Sequence, residues 1–205
     1  VLADGALSIL AEQAGLRGRQ DPHHFAVGFK EVIELPARTI EDRFGVAEGQ
    51  GAAQLFFGSI TRGLFGGGFL YTNQQSVSLG MVLGIGGLAA AEPPVEAHLL
   101  LDELKARPEI APLITGGATV EYSAHAIPEG GLAALPSLTG PGVLVAGDAA
   151  GLALNLGITV RGMDFALISG VLAARAILQA RQAGDFSAAG LAAYEADLRE
   201  SVVLK

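Results

Sequence analysis

The run Val143-Leu144-Val145-Ala146-Gly147-Asp148-Ala149-Ala150-Gly151 constrains this chain more than any other stretch. Its apolar start reads as a short, fully buried strand. The strand runs straight into glycine, aspartate and small residues, so the backbone turns tightly and lets a ligand approach closely. Asp148 falls at the strand's carboxyl end, the edge at which doubly wound sheets bind their ligands. A carboxylate there repels phosphate but accepts hydrogen bonds from ribose or ribityl hydroxyls. A helix is expected to follow, offering free N–H groups and the positive end of its dipole to a pyrophosphate. A plainer role stays open: Asp148 as the cap of that helix.

Two further glycine breaks follow, in Asn155-Leu156-Gly157 and in Arg161-Gly162-Met163. A long helix is expected over 162–180. Gly162, Ala166, Gly170 and Ala173 or Ala174 recur in it near one-turn spacing, a ridge of small residues suited to close packing on a sheet or cofactor. By length alone, 142–160 spans a bilayer. Asp148 near its middle costs roughly 2.5–3.5 kcal/mol on insertion scales, and the glycines interrupt a helix, so strand, turn and helix explain it better.

The rest of the chain reads as an αβ fragment, a mainly antiparallel block, and a return to strand–turn–helix. This is the order left when one domain is inserted into another. Val1 to Ala3 resembles the tail of a strand, so the natural chain is expected to begin further upstream. A helix is expected over 6–14 and a strand over 25–35. Runs at 54–58, 63–72 and 76–85 follow, the last two as a hairpin. A helix at 95–106, a strand at 119–127 and a final helix at 188–202 complete the pattern. The limits read from the sequence are 1–20, 21–135, 136–182 and 183–205. The formal charge of −8 carries no offsetting basic run, which excludes nucleic acid as a partner. With no cysteine, the chain itself holds no disulfide and no thiolate-ligated zinc or iron–sulfur cluster.

The GDAAG turn, the Asn-Leu-Gly and Arg-Gly-Met-Asp segments and the Ser169-Gly170 helix resemble the second FAD motif of the glutathione-reductase-like flavoproteins. Ala3-Asp4-Gly5 with Ser8 resembles the Asp-Gly motif of the same superfamily. Tyr122 to Gly131, through Ile127-Pro128-Glu129-Gly130-Gly131, is similar to FixC-type electron transfer flavoprotein–quinone oxidoreductases and the related geranylgeranyl reductases. The resemblance covers essentially the whole chain. It implies an α/β (α+β overall) fold: the C-terminal part of a glutathione-reductase-like FAD-binding fold with an inserted, mainly antiparallel β substrate domain. It also implies FAD, with Asp148 on the ribityl chain and Asn155, Leu156, Gly157, Gly162 and Met163 by the isoalloxazine. Asp4, Gly5, Gly147, Ala149 and Gly151 join them as cofactor-binding residues. The implied partners are an electron transfer flavoprotein, a quinone and a separate ferredoxin-like protein. The implied location is cytoplasmic, with peripheral contact at the inner membrane face.

One departure stands out. The dinucleotide-binding Gly-x-Gly-x-x-Gly is missing, and its nearest match, Gly84-x-Gly86-x-x-Ala89, runs toward Pro93-Pro94 rather than a helix. The adenosine half of FAD therefore has no seat here. A geranylgeranyl-reductase-like or hydroxylase-like flavoenzyme is the alternative, disfavoured because Asn155-Leu156 stands where those carry proline. A flavin-free fragment without activity of its own is the third reading.

No catalytic residue or metal ligand is assigned. His23-His24 lies in a loop, His98 on a solvated helix face, and His125 on a strand, the last read as structural before flavin-tuning. Glu31, Glu34, Glu41 and Asp42 read as solvated rather than as an acid–base pair. Leu64-Phe65-Gly66-Gly67-Gly68-Phe69-Leu70 reads first as core strand, then as the wall of a lipophilic pocket, then as a membrane-dipping surface.

Overall fold

The computed structural model describes residues 1–156 and 160–205. Along the chain come α1 (Ile9–Gln13), β1 (Phe25–Glu34), α2 (Ala37–Phe44), β2 (Ala53–Phe56), β3 (Gly66–Thr72) and β4 (Ser76–Gly84). Then follow α3 (Ile85–Ala90), α4 (Ala97–Lys105), α5 (Ala111–Ile114), β5 (Ala118–Pro128), β6 (Thr139–Gly140) and β7 (Val143–Leu144). The last are β8 (Leu154–Asn155), β9 (Val160–Arg161), α6 (Met163–Ala183), α7 (Ala188–Leu191) and α8 (Ala193–Glu200). They form two compact units, one of residues 1–25 with 126–205, the other of residues 26–125.

The 26–125 unit is built on a five-stranded sheet of order β2-β3-β4-β1-β5. β4 pairs antiparallel with both β3 and β1, with Leu70 opposite Leu79 and Phe29 opposite Met81. One face of the sheet buries Phe29, Ile33, Leu70, Leu79 and Met81 against Leu100, Leu101 and Leu104 of α4. The apolar period of α4 explains its place: Leu100, Leu101 and Leu104 are buried, while Leu99 faces solvent. Glycines in the sheet are filled by the protein itself. A Cβ at Gly67 would lie 2.7 Å from the Phe56 carbonyl, and one at Gly68 would lie 3.0 Å from Leu104. The close approach expected of a flat ligand at this run is thus made by neighbouring strands and helices. Leu70 is core, whereas Phe65, just before β3, is exposed.

Two readings need correcting in this unit. Glu31 is not solvated: it accepts from Lys105 Nζ at 3.0 Å and from the Thr119 hydroxyl at 2.8 Å. Desolvation opposes the Lys105 charge, yet Glu31 and then Asp102 hold its pKa above the usual lysine value. Gly84-x-Gly86-x-x-Ala89 does open a helix, α3, with Gly84 at its cap. The helix covers only Ile85–Ala90 and follows a strand with antiparallel neighbours, so it is no βαβ crossover.

In the other unit, α6 is the spine. It buries Phe165, Ser169, Leu172, Ala173, Ala176 and Ala180, packed with Leu144, Val145, Leu191, Tyr194 and Leu198. The ridge of small residues therefore runs along Ser169, Ala173, Ala176 and Ala180. Gly170 and Ala174 lie on the exposed side, because the buried stripe is centred on Phe165 and Leu172. α6 is long and apolar enough to cross a membrane by length and composition, the one such helix among the described residues. Its C-terminus extends to Ala183, where Gly184 adopts the left-handed conformation (φ 68°) that closes helices. The expected final helix is two, α7 and α8, and Ser201 ends the second at Glu200. α1 is also shorter than expected, since Ser8 caps it and accepts from the Ala11 N–H.

Candidate functional site

The two glycine–aspartate segments meet through backbone. Leu2 bridges Val145 in parallel: the Leu2 N–H donates to the Leu144 carbonyl at 2.7 Å, and the Ala146 N–H donates to the Leu2 carbonyl at 2.9 Å. Asp4-Gly5 and Gly147-Asp148 therefore leave the carboxyl ends of neighbouring parallel segments. That edge is where a parallel sheet presents loop backbone to ligands. β7 itself covers only Val143–Leu144; the next residue, Val145, donates its N–H to the Leu138 carbonyl at 2.9 Å on one side and bridges Leu2 on the other.

Gly147–Ala150 is a 3-10 turn closed by Gly151 at φ 71°, and Gly147 itself sits at φ 64°. Both conformations favour glycine. Gly147, Ala149 and Ala150 are buried, and Asp148 is half-buried. Asp148 does not cap this turn, whose cap residue is Ala146, with no side-chain bond there. The free N–H expected at the start of the turn is not free. The Gly147 N–H donates to the Ser169 hydroxyl at 2.9 Å, and that hydroxyl donates to the Ala166 carbonyl at 2.9 Å. Ala166 lies close under Gly147, within 3.4 Å of where a Cβ would stand. Tyr194, fully buried, donates to the Val145 carbonyl at 2.8 Å. Burial pushes its hydroxyl up to about 12, with Ser169 pulling the other way. Ser169 and Tyr194 thus brace the turn from beneath, and neither was singled out as a site residue in the sequence. Only their placement in helices 22 residues from Gly147 and 49 residues from Val145 brings them there.

Asp4 looks inward to its own loop. It accepts from the Ser8 hydroxyl at 2.7 Å and from the Leu10 N–H at 3.2 Å. Desolvation disfavours its charge, but Ser8, Leu10 and the Arg17 guanidinium together hold its pKa below the usual value. Arg17 donates to the Ala6 carbonyl at 2.8 Å and lines a cavity of about 410 Å³ with Gln20, His24, Gly131, Ser137 and Gly151. Gln20 donates to the Leu7 carbonyl at 2.6 Å, yet its Oε1 is buried with no partner among the described residues.

Downstream, Asn155 in β8 is half-buried, and its side chain is hydrogen-bonded to Glu129. Leu156 and Met163 are exposed. Gly162 caps α6, and Arg161 pairs with Asp164 while lying over the Phe165 ring at 5.1 Å. Gly157 lies outside the described residues. The remaining site residues are brought onto one compact unit, with two glycine-dependent turns and two buried oxygens, Gln20 Oε1 and Glu129 Oε1, that find no partner among the described residues. Backbone at close range, carboxylates and a carboxamide suit a polyhydroxylated chain and a flat heterocycle, so the residues fit a flavin in kind.

Residues 25–127 match the family model described as "ETF-QO, ubiquinone-binding". This chain belongs to that family. It is 51% identical, over its full length, to the probable electron transfer flavoprotein–quinone oxidoreductase YdiS of Escherichia coli K12, covering 47% of that protein. It is 53% identical to the protein FixC of the same strain over 97% of the chain and 46% of FixC. The chain spans about half the length of these curated relatives. Among solved structures, a geranylgeranyl bacteriochlorophyll reductase-like protein from Thermoplasma acidophilum matches with a TM-score of 0.72 at 21% identity. That match covers 97% of this chain and 45% of the other. The flavin-dependent halogenase CmlS matches with a TM-score of 0.61 at 19% identity, covering 97% and 34%. These likenesses bear out the expected mixed α/β fold with its mainly antiparallel sheet.

Proposed function

We propose that this chain supplies the ribityl and isoalloxazine side of an FAD site in an oxidoreductase that passes electrons between an electron transfer flavoprotein and a quinone. The observation that carries this is the parallel Leu2–Val145 bridge, which sets Asp4-Gly5 and Gly147-Asp148 side by side. The name of the YdiS relative and the description of the family model support the redox partners. Asp148 would accept hydrogen bonds from ribityl hydroxyls, and Asn155, Leu156, Gly162 and Met163 would border the ring, with Gly157 assigned to it from the sequence alone. Bound flavin would supply the redox carrier through which electrons pass between the two partners. The net exchange moves two electrons from the reduced partner and two protons from water onto the quinone, giving the quinol.

The same reading includes a separate ferredoxin-like partner; these 205 residues carry no cysteine to ligate a cluster. It also includes a cytoplasmic location with peripheral contact at the inner membrane face. The exposed Phe57 and Phe65, beside the glycine-rich β3, support that contact. The likeness to a geranylgeranyl reductase fold favours a second reading, reduction of an isoprenoid by the same flavin. The deciding experiment takes the full-length gene product, looks for the visible absorbance bands of oxidised flavin, and then follows their bleaching by reduced electron transfer flavoprotein. Reoxidation by quinone is the expected outcome. A colourless protein overturns the reading, and reoxidation only by a polyprenyl substrate transfers it to the alternative.

A further inference from the structure

Glu129 lies between two well-fixed neighbours. Its N–H donates to the His24 carbonyl at 2.7 Å. The next residue, Gly130, packs so closely that a Cβ there would stand 3.0 Å from His24 Cβ. The backbone is thereby pinned, and the side chain has little freedom in where it points. It is hydrogen-bonded to Asn155, the carboxamide of the Asn-Leu-Gly segment. Its Oε1 is buried and meets no donor among the described residues. A buried carboxyl oxygen without a partner costs about 1–3 kcal/mol, so a native structure holding one calls for a ligand or water that supplies the bond.

We propose that Glu129 is a positioning residue of the flavin site, one that orients the Asn155 carboxamide and turns its second oxygen toward the bound group. The inference rests on the flavin reading above and adds to it a residue outside the glycine–aspartate motifs. Burial raises the pKa of the Glu129 carboxyl, with Asn155 opposing, as expected where one oxygen lacks a donor. A stitch that only joined two loops would have its polar atoms satisfied within the protein. Here one is left over, on the side chain that holds a residue of the candidate site.

The test uses the flavin-loaded full-length gene product and reads two quantities, the flavin dissociation constant and the midpoint potential of the bound flavin. Glu129→Ala is expected to weaken flavin binding about tenfold, the loss of one positioning hydrogen bond. Glu129→Gln, which keeps a group able to reach Asn155, is expected to stay within about twofold of the wild type. In an Asn155→Ala background, Glu129→Ala is expected to add nothing, because its effect travels through Asn155. Both single alanine variants shift the potential in the same direction. Unchanged affinity and potential in Glu129→Ala, or losses that multiply in the double variant, overturn the proposal. If the alanine variant fails to fold, Glu129→Asp decides: its shorter arm cannot reach Asn155, and wild-type affinity in that variant overturns the proposal. A wild-type protein without flavin overturns the functional reading itself, whereas flavin present with a silent Glu129 overturns only this step.

Discussion

The 26–125 unit and the unit formed by the chain's two ends handle their buried polar groups in opposite ways. In the first, Glu31 is met by Lys105 and Thr119, Thr61 by the Leu64 carbonyl, and the gaps over the glycines by Phe56, Ile60 and Leu104. In the second, two buried oxygens, Gln20 Oε1 and Glu129 Oε1, find no partner among the described residues. Its central turn is braced from below by Ser169 and Tyr194. The unit that leaves acceptors over among the described residues, with fixed backbone around them, is the one in which we propose the flavin to be held.

Removing core volume gives the strongest test of this contrast. Leu104→Ala, in the face of α4 against the sheet, is expected to cost roughly 2–5 kcal/mol in urea denaturation. The flavin content of the folded fraction should not change; a parallel loss of flavin would erase the distinction between the units. Next comes Ser169→Ala, which leaves the Gly147 N–H buried without an acceptor, at about 1–3 kcal/mol. Unlike the first variant, it is expected to lower flavin retention along with thermal stability, and retention at the wild-type level would detach the brace from the site.

Asp148→Ala addresses chemistry rather than packing. About tenfold weaker flavin binding is expected from the loss of its ribityl hydrogen bonds, measured by flavin release on dilution. Unchanged release would leave Asp148 with a local role only. The smallest effect concerns pH. The folded-state pKa of Glu129 is raised by burial, so between its ordinary value of 4.5 and that higher value the folded state holds more proton than the unfolded one. Stability contributed by the protonated carboxyl is present below 4.5 and is lost as pH rises through the raised pKa. Glu129→Gln should flatten that slope in denaturation midpoints taken across the window. Asp4 runs the other way: its lowered pKa stabilises above the ordinary 3.8 and is lost as pH falls through the folded value.

Much of this was legible in local sequence. The β3–β4 hairpin followed from two apolar runs around Asn73-Gln74-Gln75, and the register with Leu70 opposite Leu79 keeps their apolar residues on one face. The GDAAG turn was legible because glycine at positive φ is a local demand, met at Gly147 and Gly151. Helix ends were less so. α1 starts three residues late because Ser8 and Asp4 form a cap that composition does not reveal. The exposed side of α6 was misassigned at Gly170 and Ala174, since small residues mark close packing only where a partner is present. Glu31 was misread for the matching reason: its cation comes from α4, far along the chain.

By itself, then, the sequence determined the local geometry of the turn at Gly147 to Gly151, the apolar faces of β3, β4 and α4, and membership of the family. These depend on residues within a few positions of one another. The tertiary structure decided what touches that turn: Leu2 beside Val145, Ser169 under Gly147, Tyr194 on Val145 and Glu129 against Asn155. Each joins residues far apart in the chain, and hydrogen bonds at such separation leave no period or spacing in the letters. Folding alone brings the donor to its acceptor.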